Sequence, residues 1–155
     1  MTVQFRNIDI DPASPVESWP FEAIATVVDR GTVSDWARLA AAISADPWGP
    51  VARQVEELFG YSRPWGVTPL LERAIARARS RADESERAAV SGTVRDLVAR
   101  SGLSMGAFAR RIGTSRTRLS TYRTGSVVPS AALVVRMTNL VERIESADGS
   151  LRRGS

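Results

Sequence analysis

The stretch GLSMGAFARRIGTSRTRLSTYRTG at residues 102–125 carries five arginines and no acid. It sits in a chain of 155 residues whose 17 acids nearly balance 21 basic residues, every one of them arginine. A guanidinium is a planar, permanently charged fork that matches phosphate and the acceptor edge of guanine. The chemistry on offer is therefore recognition of a polyanion rather than bond breaking. Catalytic toolkits are thin elsewhere. Histidine and cysteine are both absent, which removes Ser-His-Asp triads, Cys-His pairs and zinc sites of the usual kind. The close acid pairs Glu56-Glu57 and Asp83-Glu84 read as exposed helix surface. No catalytic residue, metal or cofactor is expected, and the chain reads as a non-enzyme.

The charge is unevenly placed. Residues 1–65 hold nine acids against five arginines, a net of −4, whereas residues 66–155 hold eight acids against sixteen arginines, a net of +8. Between Leu97 and Val141 there are seven arginines and no acid. With 43% hydrophobic and 25% charged residues the composition is that of a globular protein. No apolar run approaches the roughly 18 residues that span a bilayer. The opening MTVQFRNIDIDP lacks the apolar core of a secretory signal, so a cytoplasmic location without membrane contact is expected.

Elements that would position the basic stretch follow from helical periodicity, and the expected class is all-α. Residues 1–19, with Val3 and Phe5 in alternation and two X-Pro steps, read as an extended arm or short strand ending in a turn. PFEAIATVVDRG then places Phe21, Ile24, Val27 and Val28 on one face. SDWARLAAAISADP, capped by Ser34, places Trp36, Leu39, Ala40 and Ile43 together. PVARQVEELFGY opens on Pro50 and turns Val51, Val55, Leu58 and Phe59 inward. TPLLERAIARARSRAD carries Leu70, Leu71, Ile75 and Ala78 as its stripe. DESER at 83–87 reads as a polar junction or an acidic first turn, followed by a helix bearing Val90, Val94, Leu97 and Val98. A final helix over 130–145 carries Leu133, Val134, Met137, Leu140, Val141 and Ile144, and the tail 147–155 reads as disordered. Of the four tryptophans, all within residues 1–65, most are expected in the core, with an aromatic interface as the other use. The division implied is 1–82, 83–146 and 147–155.

Within the basic stretch, Ser104 and Ser115 are natural N-caps for MGAFARRI and RTRLSTYRT. Only Gly113 and Thr114 separate those helices, so they must cross steeply, and a glycine supplies the left-handed conformation such a turn demands. Ala109 is small where the helices approach, while Phe108, Ile112, Leu119 and Tyr122 bridge the crossing. This is the steric recipe of a helix-turn-helix.

Residues 94–141 resemble the XRE family of DNA-binding domains, the type of phage Cro and lambda-like repressors. Its pattern is met by Gly102-Leu103-Ser104, Ala109, Gly113-Thr114-Ser115, Leu119, Tyr122, Gly125 and Pro129. Met105 departs from it, standing where a phosphate-touching glutamine is frequent, and so does Arg123, where glutamate is usual. The resemblance implies that RTRLSTYRT, within 115–124, is a recognition helix for the major groove of double-stranded DNA. Arg116, Thr117, Ser120 and Thr121 would then face base edges. Arg110, Arg111, Arg118 and Arg123 would meet phosphate, as would the helix N-termini at Ser104 and Ser115. The expectation is a bacterial, repressor-like transcriptional regulator, a homodimer on an inverted repeat. The alternative is an antitoxin whose residues 1–82 hold a toxin while its helix-turn-helix represses its own operon.

Overall fold

A computed structural model describes residues 4–153; Val3 and the tail residues Gly154 and Ser155 lie outside them. The described residues hold seven α-helices and no strand. They are α1 (Phe21–Arg30), α2 (Val33–Ala45), α3 (Pro50–Tyr61), α4 (Val67–Ser101), α5 (Met105–Ile112), α6 (Arg116–Thr124) and α7 (Ala131–Arg153). The chain divides into two compact units, Met1–Asp83 and Glu84–Ser155.

In the first unit, α1, α2, α3 and the start of α4 close on a core that includes Ile24, Val27, Leu39, Ile43, Val55 and Leu71. Each such side chain contributes about 1.5–3 kcal/mol by leaving water. Among the described residues the N-terminal segment, from Gln4 on, forms no strand. It runs as irregular chain to a short 3-10 turn at Val16–Ser18, with Phe5, Ile8 and Ile10 packed on the core. Trp19, 2% exposed, anchors it. Phe5 meets the Trp19 ring edge-on at 5.4 Å, and the Arg38 guanidinium lies 4.8 Å over it. Arg38 also donates to the carbonyls of Pro12 (2.8 Å) and Ser14 (3.1 Å). A cation from α2 thus supplies the partners that a ladder would otherwise have given.

Several sequence expectations shift. Thr32, not Ser34, caps α2: its hydroxyl accepts from Asp35 N while the Asp35 carboxylate accepts from Thr32 N at 2.9 Å, a reciprocal capping box. Leu70 is 45% exposed, and Val67, one turn before Leu71, takes the inward place. Among the tryptophans, Trp19 is in the core and Trp36 is half-buried, donating to Val27 O at 2.9 Å. Trp48 is 54% exposed and Trp65 wholly so.

The largest difference is α4, one helix of 35 residues where two were expected. The run Asp83-Glu84-Ser85-Glu86-Arg87 does not interrupt it. It contains neither glycine nor proline, it is solvent-exposed throughout, and Asp83 precedes Arg87 by four, the favourable order for an ion pair along a helix. A polar run that reads as a junction is here a solvated helix surface.

In the second unit, the end of α4 with α5, α6 and α7 encloses Val94, Leu97, Phe108, Ile112, Leu119, Tyr122, Met137, Leu140 and Val141. The α7 helix continues to Arg153, so residues 147–153 are helical rather than disordered. No proline follows to stop it, and Ser150 donates to Ser146 O at 3.0 Å within it. Arg100 on α4 reaches Glu145 on α7 at 3.0 Å and Asp96 at 3.3 Å. The hydrogen bond from its guanidinium, helped by its charge, holds the Glu145 carboxyl below its ordinary value. The pair is exposed and its contribution small. That contribution is present above the ordinary glutamate value and is lost as pH falls through the lowered one.

Removing the α2 cap should register in stability. Thr32→Ala is expected to cost about 1 kcal/mol, read from urea denaturation. An unchanged midpoint would show that the capping box contributes nothing.

Candidate nucleic-acid interface

The site is built on the turn between α5 and α6. Ser104 caps α5, its hydroxyl accepting from Ala107 N at 3.2 Å, and Ser115 caps α6, accepting from Arg118 N at 3.1 Å. Both serines therefore hold helix starts as their sequence positions indicate. Gly113 ends α5 in the left-handed conformation, φ 77° and ψ 34°. Around it Gly113 N donates to Arg110 O (3.2 Å) and Thr114 N to Ala109 O (2.9 Å). These bonds satisfy the last carbonyls of α5 while the chain reverses. Ala109 is 1% exposed, so its single methyl sits at the close approach. Phe108, Ile112 and Leu119 are wholly buried and Tyr122 nearly so. The four motif positions Ala109, Gly113, Leu119 and Tyr122 thus do steric work.

Because Leu119 and Tyr122 face the core, the rest of α6 must face out. Arg116, Thr117 and Ser120 are exposed on it. Thr121 is half-buried, and its hydroxyl donates to Arg118 O at 2.6 Å, which leaves its methyl and an oxygen lone pair for outside contacts. Arg118 is exposed beside them, as are Arg110 and Arg111 in the last turn of α5. None of Arg110, Arg111, Arg116 and Arg118 is paired with an acid among the described residues. Arg110 and Arg111 also lie where a helix C-terminus favours cations, so part of their role is local.

Arg123 is placed differently from these four. It is half-buried, one guanidinium nitrogen lies 3.5 Å from the Met105 sulfur, and its Nε is buried without a partner. The two positions at which the sequence departs from the XRE pattern, Met105 and Arg123, are thus in contact. A polarizable thioether faces a guanidinium across α5 and α6. Read singly along the chain, the two departures gave no sign of being a pair.

Two further arginines hold the motif from outside it. Arg95 on α4 donates to Arg123 O (2.8 Å) near the end of α6 and to Ser91 Oγ (3.2 Å). Arg136 on α7 donates to Ile112 O (2.8 Å) at the end of α5. Each satisfies a carbonyl that a helix end leaves open, and each fixes one of the two helices to a neighbour. No sequence signal set them apart from surface arginines, because the carbonyls they reach lie 28 and 24 residues away. Of the seven arginines between Leu97 and Val141, then, Arg100, Arg123 and Arg136 have partners inside the unit, and four have no acidic partner among the described residues.

A family model described as a helix-turn-helix domain matches residues 89–143, about a third of the chain. Comparison with curated proteins and with solved structures returns no match. The geometry and the family match agree on the same segment: the C-terminal unit carries a helix-turn-helix domain. No helix among the described residues is long and apolar enough to cross a membrane.

The turn geometry makes Gly113 hard to replace. Gly113→Ala is expected to destabilise the protein by about 1–2 kcal/mol, the cost of a side chain in the left-handed region, measured as a lowered urea midpoint. Gly106→Ala, whose added methyl meets only the tip of Arg110 at 3.8 Å, is the control and should be neutral or stabilising.

Proposed function

With residues 89–143 a helix-turn-helix domain, we propose that the protein is a sequence-specific regulator of transcription. On this reading α6 enters the major groove of double-stranded DNA, and the molecule acts as a repressor-like homodimer on an inverted repeat. The observation that carries it is the division of α6. Leu119 and Tyr122 lock one side into the core, and Arg116, Thr117 and Ser120 stand exposed and unpaired on the other. Arg116, at the first helical position, reads guanine through a bidentate contact, and Thr117, Ser120 and Thr121 read the neighbouring base edges. Arg118, Arg110 and Arg111, with the capped helix starts at Ser104 and Ser115, hold phosphates and set the register. Arg123 joins them only through the guanidinium edge that Met105 leaves open. The protein binds and does not catalyse.

A second reading is supported by the first unit. A tryptophan with 100% exposure and a tyrosine with 81%, Trp65 and Tyr61, stand in and beside one connection, and exposed aromatics of this kind mark interfaces. That unit, residues 1–82 in the sequence division, would then hold a protein partner, as an antitoxin holds its toxin. A partner that co-purifies in fixed ratio and loses toxicity when bound would favour this reading over a plain repressor.

The deciding test is selection from a random duplex pool by the full-length protein at two salt concentrations. An enriched inverted repeat that persists at the higher salt is the expected result. Enrichment of nothing, with binding that collapses as salt rises, would overturn sequence-specific reading. Once a site is in hand, Arg116→Ala should weaken it by about 1–3 kcal/mol and relax preference at one base pair. Arg118→Ala should instead lower affinity alike on specific and random duplex and reduce the salt slope by about one unit. Equal losses on both DNAs for Arg116→Ala would remove it from base reading.

A further inference from the structure

The first unit carries a surface that the DNA-binding reading does not use. Between α2 and the start of α4 runs a groove of about 540 Å³. Trp36 and Ala40 line it from one helix, Pro69 and Leu70 from the other, with Arg73 and Arg77 beside them. The lining positions recur at helical spacing on both walls, at 33, 36, 37 and 40 on α2 and at 69, 70, 73, 74 and 77 on α4. Two such stripes side by side leave a trough with the shape of a third helix's ridge. The apolar surface is in water: Val33 is 73% exposed, Leu70 45%, and Trp65, next to the lining residue Gly66, 100%. A small ligand in the trough would leave much of this surface wet, whereas a helix laid along it would cover more.

Charge identifies the occupant further. No acid lines this groove, and neither Arg73 nor Arg77 has an acidic partner among the described residues. The cleft between α3 and α4 is the opposite case. There Arg79 is matched by Glu56 and Arg63 by Glu72, each at 2.6 Å. Toward α3 the α4 arginine Arg79 is thus neutralised, whereas toward α2 two arginines of the same helix, a turn apart, are uncompensated among the described residues. We infer that the α2–α4 groove docks a single amphipathic helix of a protein partner. That helix carries an apolar ridge and two carboxylates one turn apart that meet Arg73 and Arg77. The inference rests on the partner-binding reading of the first unit and is independent of what α6 reads.

The test is an NMR titration of the full-length, ¹⁵N-labelled chain at low salt. The probe is a capped model helix of about 18 residues, long enough to hold its fold. Leucines recur along one side of it and two glutamates flank them a turn apart; a second peptide has glutamine in their place. Amide shifts should gather on residues 33–40 and 66–77, and the glutamate peptide should bind about fivefold tighter, the yield of two exposed ion pairs. The double variant Arg73→Gln/Arg77→Gln should erase that preference, and Leu70→Asp should abolish the shifts. Absence of shifts, shifts elsewhere, or equal affinity for the two peptides would overturn the proposal. Groove shifts that grow with protein concentration alone would assign the surface to a second copy and overturn it too. A natural partner that co-purifies and is still held by Leu70→Asp would leave partner binding standing and remove this groove as its seat.

Discussion

The second unit depends on a reversal of direction within three residues. Gly113 takes a backbone conformation that costs other residues free energy, and Ala109 is small enough to let α6 lie against α5. Once that crossing is fixed, little else is free. Leu119 and Tyr122 must point to the core formed by Phe108, Ile112, Met137 and Leu140, and the remaining positions of α6 must point to solvent. The exposed set on α6 is the complement of the buried set, so steric demands at one turn decide which side chains are available for recognition.

Arginine serves two purposes in this chain. At Arg38, Arg95 and Arg136 the guanidinium bridges elements by donating to backbone carbonyls left open by turns and helix ends. At Arg110, Arg111, Arg116 and Arg118 it is unpaired with any acid among the described residues. The same residue type thus stabilises the scaffold and furnishes the charge. Its planar fork suits both tasks, since several donors in fixed geometry can satisfy two acceptors at once.

Sequence reading reached furthest where local chemistry is decisive. Ser104, Gly113 and Ser115 announce the two short helices and their turn, and the structure places all three in those roles. It failed where the deciding partner is distant or where polarity was taken for irregularity. The DESER run looks like a junction because it is hydrophilic, yet each residue is compatible with helix and none needs burial. Ser34 and Thr32 are both plausible caps, and the choice falls to Thr32 because Asp35 can answer it reciprocally. Leu70 and Val67 differ by less than one helical turn, so tertiary packing, not periodicity, selects which goes inward. Arg95, Arg136 and the Met105–Arg123 contact are long-range and leave no local trace.

The absence of histidine and lysine gives the α5–α6 surface a property of its own. Its cations are all guanidinium groups, and it has none of the imidazoles that serve proteins as proton switches. Its attraction for a polyanion is set instead by the counterions that must be displaced. Such a face is attentive to ionic strength, and control over when it acts comes from something that touches it.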